Sequence, residues 1–243
     1  MDSVDYSVQR FPWYSPHLII KSINKLTKMY GGNIEDKREF KLAREMFDAA
    51  VALLGSYELD SSNKYFMQAN LQSNSPDVMS AKQTELLNAP ILLELNQIEV
   101  VTMNEYSETD NVVEFLKKTK LSPKKSYSEK TLIVVVINKR IQIDRKKIAD
   151  ELKKINPKPA IYILGKLARD NDQWTIFSPW PLLTKFVIYS LSDTMKKFQL
   201  PDCVSLHRGF KYKISYTEPK TVTTTVQQLF SIKKDAIKKY RKI

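Results

Sequence analysis

The chain has 243 residues, of which 42% are hydrophobic and 27% charged, so it is long enough for a substantial core and is not composed like a disordered protein. With five glycines and one cysteine, it contains no dinucleotide-binding or P-loop glycine motif, no internal disulfide and no cysteine-based zinc site. The formal net charge of +12 favours a polyanionic partner such as nucleic acid.

The sequence shows no pattern of a membrane span or a secretory signal. Even the long apolar run from Leu132 to Ile137 is far shorter than the about 20 residues that cross a bilayer. The beginning of the sequence is acidic and has no apolar signal region. The single cysteine, Cys203, agrees with a reducing compartment. We therefore expect an intracellular protein, in the cytoplasm or associated with the nucleoid, that makes no membrane contact.

The N-terminal part is predicted to contain two helices and then two strands. Residues 18–30 are typical of a short helix that ends at a glycine pair. From Asp36 a longer helix has apolar residues at helical spacing, and Gly55 is predicted to end it. Residues 64–72 and 77–83 have strand character and are separated by a turn-forming segment.

The central part alternates apolar strands with amphipathic helices. The predicted elements, in chain order, are strand 91–103, helix 107–118, strand 131–137, helix 145–155 and strand 160–165, followed by a strand at Trp174–Phe177. Ser107 or Thr109 is expected to cap the first of these helices, and Asp144 the second. The alternation predicts parallel strands in a sheet that the helices cover.

The C-terminal part changes in character after Pro179. Residues 181–198 are predicted to form a helix, residues 209–218 a strand, and the tail from Val226 a basic helix. The sequence thus suggests an N-terminal extension (1–34), an α/β core (35–180) and a basic C-terminal extension (181–243), which can also form one compact unit.

The order of elements resembles that of a known nuclease family. A helix, a strand, a strand that begins with Pro76 and Asp77, an acid-bearing strand, a helix and an apolar strand follow one another between residues 36 and 165. This order is similar to the αβββαβ core of the PD-(D/E)XK nuclease superfamily, which includes restriction endonucleases and phage-defence nucleases. The resemblance implies a restriction-endonuclease-like mixed sheet flanked by helices, with helical N-terminal and basic C-terminal extensions.

The resemblance also implies a set of catalytic residues. In this family the first Asp and the acid of the (D/E)XK triplet bind magnesium, and the Lys orients or activates the attacking water. Asp77, preceded by Pro76, fits the first position. Two triplets fit the second: one begins at Glu94 and has Asn96 where the Lys belongs, and the other begins at Glu99 and has an apolar third residue.

Neither triplet contains its lysine, and this leaves three alternatives. Lys82, on the strand of Asp77, takes over the role, or Asn96 plays a weaker polar part, or the site is inactive. Because strand side chains alternate, Glu94 and Asn96 share one face, and Glu99 lies on the other unless a β-bulge near Asn96 intervenes. The expected cofactor is Mg²⁺ or Mn²⁺, held by Asp77 with Glu94 or Glu99. The alternative function is a non-catalytic nucleic-acid-binding or assembly subunit of a larger complex.

Lysine-rich segments supply the candidates for contact with phosphates. Such side chains neutralise the backbone of nucleic acid, and DNA is the expected partner. The candidates are Lys117, Lys118, Lys124, Lys125, Lys211, Lys213, Lys233, Lys234, Lys238, Lys239 and Arg241.

Overall fold

The computed structural model describes residues 13–30, 40–69, 76–84, 92–167, 172–207 and 213–216. The helices in these ranges are α1 (Pro16–Tyr30), α2 (Lys41–Leu59), α3 (Val112–Thr119), α4 (Arg145–Ile155) and α5 (Leu191–Lys197). The strands are β1 (Trp13–Tyr14), β2 (Asn63–Ala69), β3 (Val78–Thr84), β4 (Leu92–Asn104), β5 (Thr131–Asn138), β6 (Ala160–Lys166), β7 (Gln173–Trp180), β8 (Val187–Ser190), β9 (Cys203–His207) and β10 (Lys213–Tyr216).

The chain divides into two compact units. The first contains Met1–Val51, Ser62–Leu95 and Gln199–Ile243, and the second contains Ala52–Ser61 and Asn96–Phe198. The predicted boundaries at residues 34 and 180 remain a prediction. Within the described residues, no helix combines the length and apolar character needed to cross a membrane.

The first unit is built on antiparallel strands. In the order β10, β9, β1, β2 and β3, each strand pairs antiparallel with the next. Ser15 caps α1, because its Oγ accepts a hydrogen bond from the Leu18 backbone N–H at 3.2 Å. The core on one face of these strands is a cluster of Trp13, Phe66, Met79, Ala81 and Val204, with Leu95 of β4 packed against it.

The second unit has a mixed sheet. Strands β4, β5 and β6 pair in parallel, and β7 and β8 continue the sheet antiparallel. The parallel pairing of β4 with β5 runs in unbroken register from Gln97 to Asn104. The α/β class, the mixed sheet and the three predicted strands between residues 91 and 165 are therefore confirmed.

Helices α3 and α4 connect the parallel strands and cover one face of the sheet. Their apolar side chains join those of β4 to β7 in one core, which includes Met103, Leu116, Ile133, Leu152 and Phe177. Burial of this face, rather than intrinsic helix propensity, is what stabilises two helices of only 8 and 11 residues.

The caps of the two helices follow the prediction in one case and not in the other. Asp144 caps α4 and accepts the Lys147 backbone N–H at 3.0 Å, as predicted. The predicted cap of α3, Ser107 or Thr109, is wrong. The N-cap is Asn111, whose Oδ1 accepts two backbone N–H groups, while Ser107 belongs to a turn closed on Asn104.

The helix predicted for residues 181–198 is also wrong in its first half. Residues Val187–Ser190 form β8 and pair with β7, and the helix α5 begins only at Leu191. Val187, Ile188 and Tyr189 suit a strand, and Ser190 then caps the helix by accepting the Asp193 backbone N–H at 3.2 Å.

Gly55 does not end α2, contrary to the prediction. The helix continues to Leu59. A Cβ atom on Gly55 would lie 2.7 Å from Cζ and Oη of Tyr189, which is itself buried. The glycine therefore makes room for an aromatic ring from a distant part of the second unit. The predicted strand at 64–72 and the strand after Asp77 are present as β2 and β3, whereas the glycine pair after α1 and the tail from Val226 lie outside the described residues.

Candidate metal and nucleic-acid site

Asp77 lies directly before β3 in the first unit. Its side chain is half-buried and Pro76 before it is buried. The antiparallel pairing of β3 with β2, from Val78 opposite Ala69 to Thr84 opposite Asn63, fixes the position of this strand. Asp77 is thus held at the start of a buried strand, which is the place that the resemblance assigns to the first metal-binding acid.

Lys82 and Glu94 are brought together in the same unit. The Nζ atom of Lys82 lies 3.7 Å from Oε2 of Glu94, and the two side chains are 29% and 46% exposed. Their neighbours Ala81 and Leu95 both pack into the core of the first unit, so alternation directs Lys82 and Glu94 to the other face. An acid and a lysine from two strands therefore meet at an accessible position.

Asp77 is distant from this pair along the strand. It precedes Lys82 by five positions, which corresponds to about 16 Å of extended chain. Ligands of one magnesium ion lie about 2.1 Å from it. The structure therefore brings Lys82 to Glu94 but does not bring the Asp77 carboxylate to that pair. Asn96, two residues after Glu94 in β4, is half-buried.

Glu99 forms a buried ion pair in the second unit. It lies opposite Ile133 in the register of β4 and β5. The Nζ atom of Lys120 is 2.5 Å from its Oε2 atom, and the side chains of Lys120 and Glu99 are only 12% and 4% exposed. The second candidate acid therefore also has a lysine, supplied by the C-cap of α3.

Sequence reasoning did not identify Lys120. It directly follows the last turn of α3, where Lys117 and Lys118 already give the basic end that a helix C-terminus favours. The backbone N–H of Lys120 donates to the Leu116 carbonyl at 2.8 Å, and this closing turn places the residue beside β4. A signal was available only in retrospect: Glu99 lies between the apolar residues Ile98 and Val100 and needs a cation if it is buried.

Metal binding by protein side chains alone requires several acids or histidines close together. Among the described residues, no group of three or more His, Cys, Asp or Glu side chains is arranged to hold a metal ion. Glu108 pairs with Lys118 of α3 at 2.9 Å. This hydrogen bond lowers the pKa of Glu108 and raises the pKa of Lys118. Both groups therefore stay charged over the neutral pH range.

The candidate phosphate contacts are only partly within the described residues. Lys117, Lys118, Lys124 and Lys125 are exposed at the end of α3 and in the loop that follows it. Lys213 lies in β10. The other candidates, Lys211, Lys233, Lys234, Lys238, Lys239 and Arg241, lie outside the described residues.

Comparisons with known proteins add no name to this arrangement. No family model, no curated protein and no solved structure matches the chain.

Proposed function

We propose that the chain is a metal-dependent, endonuclease-like protein that hydrolyses phosphodiester bonds in nucleic acid, with DNA as the expected substrate and a restriction-endonuclease-like core. The order of α2, β2, β3, β4, α3 and β5 along the chain supports the proposal, because it is the αβββαβ order of the PD-(D/E)XK superfamily. In this proposal Asp77 supplies the first carboxylate, and Glu94 or Glu99 supplies the second.

One observation carries the proposal: each of the two candidates for the second acid contacts a lysine from another element. Glu94 meets Lys82 at 3.7 Å and Glu99 meets Lys120 at 2.5 Å. The lysine that both triplets lack is therefore available in either case. Such a lysine would hold or orient a water molecule beside the acid, as the triplet lysine does in the family.

The chemistry follows from the charge that such a site would hold. A bound Mg²⁺ or Mn²⁺ would lower the pKa of a water ligand and stabilise the charge on the transferring phosphate. The protein's own part is to hold the cation with carboxylates and to hold the phosphates with lysines. Lys117, Lys124 and Lys125 are exposed and suit the second task.

A second candidate function is a non-catalytic, nucleic-acid-binding or assembly subunit with the same core. The spacing of five positions between Asp77 and Lys82, the partner of Glu94, favours it. In this alternative the two ion pairs stabilise the fold and the lysines still bind phosphate.

Cleavage assays distinguish the two functions. The full chain is incubated with plasmid and single-stranded DNA in the presence of Mg²⁺ or Mn²⁺, with EDTA-treated protein as the control. Metal-dependent nicking or degradation supports the nuclease. Salt-sensitive binding without cleavage of any substrate supports the binding subunit.

A further inference from the structure

The second unit exposes a cluster of large apolar side chains. Six large hydrophobic residues are exposed in the described part of the chain, and four of them fall between residues 182 and 188. They are Leu182 (77% exposed), Leu183 (43%), Phe186 (41%) and Ile188 (56%), and we refer to them as the edge patch. Large apolar side chains that are exposed close together in the sequence often belong to an interaction surface, whereas single exposed ones are common on any protein.

The edge patch continues a sheet face that α4 covers elsewhere. Ile188 of β8 lies opposite Thr175 of β7, and Thr175 shares its face with Phe177, which packs in the core under α4. The ring of Phe186 lies 6.1 Å from that of Phe177. Phe186 and Ile188 therefore lie on the face of the sheet that carries α4, and Leu182 and Leu183, which precede them in the same segment, are exposed as well.

The rim of the patch is positively charged. The guanidinium of Arg145, at the first position of α4, lies 5.7 Å from the Phe186 ring, and its Nη1 donates to the Thr184 carbonyl at 3.4 Å. Lys146 and Lys147 follow Arg145 and are exposed, as is Lys185 in the loop. The N-terminus of α4 already has its own carboxylate, that of the N-cap Asp144. An acidic partner would therefore be attracted by the cationic side chains of Arg145, Lys146, Lys147 and Lys185.

We propose that the edge patch docks an acidic, amphipathic helix of a partner protein. The apolar face of that helix would lie on Leu182, Phe186 and Ile188, beside α4 at the usual spacing of 8–10 Å between packed helices. Its acidic side chains would face the cations at the start of α4. This inference does not depend on the metal site.

Other occupants fit the surface less well. Nucleic acid would meet the cations, but three of the four patch residues are aliphatic, and only Phe186 offers an aromatic face on which a base can stack. A second copy of the chain carries a net charge of +12, and the tail from Lys233 is itself basic, so both would be repelled by the rim. An acidic protein segment satisfies the charge and the apolar surface together.

Site-specific photocrosslinking tests the proposal in the full chain. A benzoylphenylalanine is placed at position 182 in the protein as expressed in its native host, and the crosslinked segment is mapped by mass spectrometry. The same residue at position 124, an exposed lysine in another part of the second unit, is the matched control. We expect a partner segment with net negative charge and apolar residues at helical spacing, and no such adduct from position 124.

Charge-reversed variants test whether formation of the adduct depends on the cations at the rim of the patch. Replacing Lys146→Glu and Lys147→Glu together should lower the yield of the adduct about tenfold or more, because like charges would then face each other. Lys185→Glu, outside any helix, should act in the same direction without affecting α4. Replacing the acids of the mapped segment with lysine should restore the adduct with the doubly reversed chain. The proposal is overturned if position 182 crosslinks to nucleic acid, to a second copy of the chain or to nothing. It is also overturned if the yield of the adduct does not change in the charge-reversed variants.

Discussion

The Nζ atom of Lys120, at the C-cap of α3, lies 2.5 Å from Oε2 of Glu99 in β4, and both side chains are almost completely buried. A buried ion pair contributes less to stability than its short distance suggests, because both charges lose their water. Such a pair is therefore either a requirement of the packing between α3 and the sheet or a part of a functional site. The first two predictions separate these roles.

Breaking the buried pair from one side should destabilise the protein strongly. Lys120→Met leaves the Glu99 carboxylate buried without this cation, and we expect a loss of about 3–5 kcal/mol in the free energy of unfolding. The double change Glu99→Leu with Lys120→Met should recover most of that loss, since both charges of the pair are then removed. The exposed pair is the matched control: Lys82→Met should change stability by about 1 kcal/mol or less. Urea denaturation measures all three, and equal effects of Lys120→Met and Lys82→Met would contradict the assignment.

The nuclease proposal predicts a pronounced asymmetry between the two candidate acids. Asp77→Asn should lower metal-dependent cleavage by at least about 100-fold while DNA binding stays nearly unchanged, because the metal site is damaged but the lysines remain. Of Glu94→Gln and Glu99→Gln, only one should have the same effect, since the two side chains point to opposite faces of β4.

Cleavage is measured on plasmid DNA with Mg²⁺ and with Mn²⁺. The thermal unfolding of each variant is recorded, so that misfolding of the Glu99→Gln variant is not mistaken for a loss of catalysis. Lys120→Arg, which keeps the cation, controls for that position. Cleavage that survives Asp77→Asn, or a wild type that cuts no substrate, would leave only the binding subunit.

Nucleic-acid binding should depend steeply on salt. A plot of log affinity against log salt concentration should be linear, because bound lysines release counterions from the phosphates. Replacing Lys124 and Lys125 with Ala should reduce its slope by about 0.9 for each phosphate that these lysines neutralise. Lys153 and Lys154, a second pair of adjacent exposed lysines at the end of α4, provide the matched control and should leave the slope unchanged. Fluorescence anisotropy with labelled DNA provides the affinities, and affinity that is independent of salt would exclude this mode of binding.

Gly55→Ala should destabilise the protein, although alanine is the better helix former. At an ordinary position inside a helix this change would stabilise by about 1 kcal/mol. Here the new Cβ atom would lie 2.7 Å from the buried ring of Tyr189, and the ring must move. We expect a net loss of about 1–3 kcal/mol, typical of an overfilled core. Chemical denaturation measures the change, and a gain in stability would show that the ring has room to shift.

The stability should fall at alkaline pH because of Tyr189. Burial, with further contributions from Asp172 and Glu58, raises the pKa of this phenol well above its usual 10.0. The unfolded chain loses the proton from about pH 10 while the folded chain keeps it, so unfolding becomes more favourable as the pH rises above 10. The slope contributed by this residue is at most about 1.4 kcal/mol per pH unit.

Tyr189→Phe should therefore flatten the fall in unfolding free energy between pH 9 and about pH 11. The control is Tyr106→Phe, which removes a phenol that is 93% exposed and should leave the dependence as in the wild type. Urea titrations at each pH provide the values. An equal fall in the Tyr189→Phe variant would assign the alkaline sensitivity to other groups.

The sequence by itself determined the alternation of strands and helices between residues 91 and 165. β5 and β6 contain continuous apolar runs, which indicate strands buried on both faces. α4 has apolar residues along one side, which indicates a helix buried on that side only. These patterns are local in the sequence. The cap at Asp144 was readable for the same reason, since its hydrogen bond reaches only three residues along the chain. Local chemistry sufficed for these elements.

Only the tertiary structure decided what depends on contacts between distant segments. It paired Glu99 with Lys120, 21 positions away, and it placed Lys82 of β3 within 3.7 Å of Glu94 in β4. It also made Gly55 a packing position rather than a helix end, and it turned residues 187–190 into an edge strand beside β7. The residues next to a position in the sequence do not determine which distant side chain will contact it in the folded protein. The partner is selected when sheet pairing and helix packing bring remote segments within contact distance.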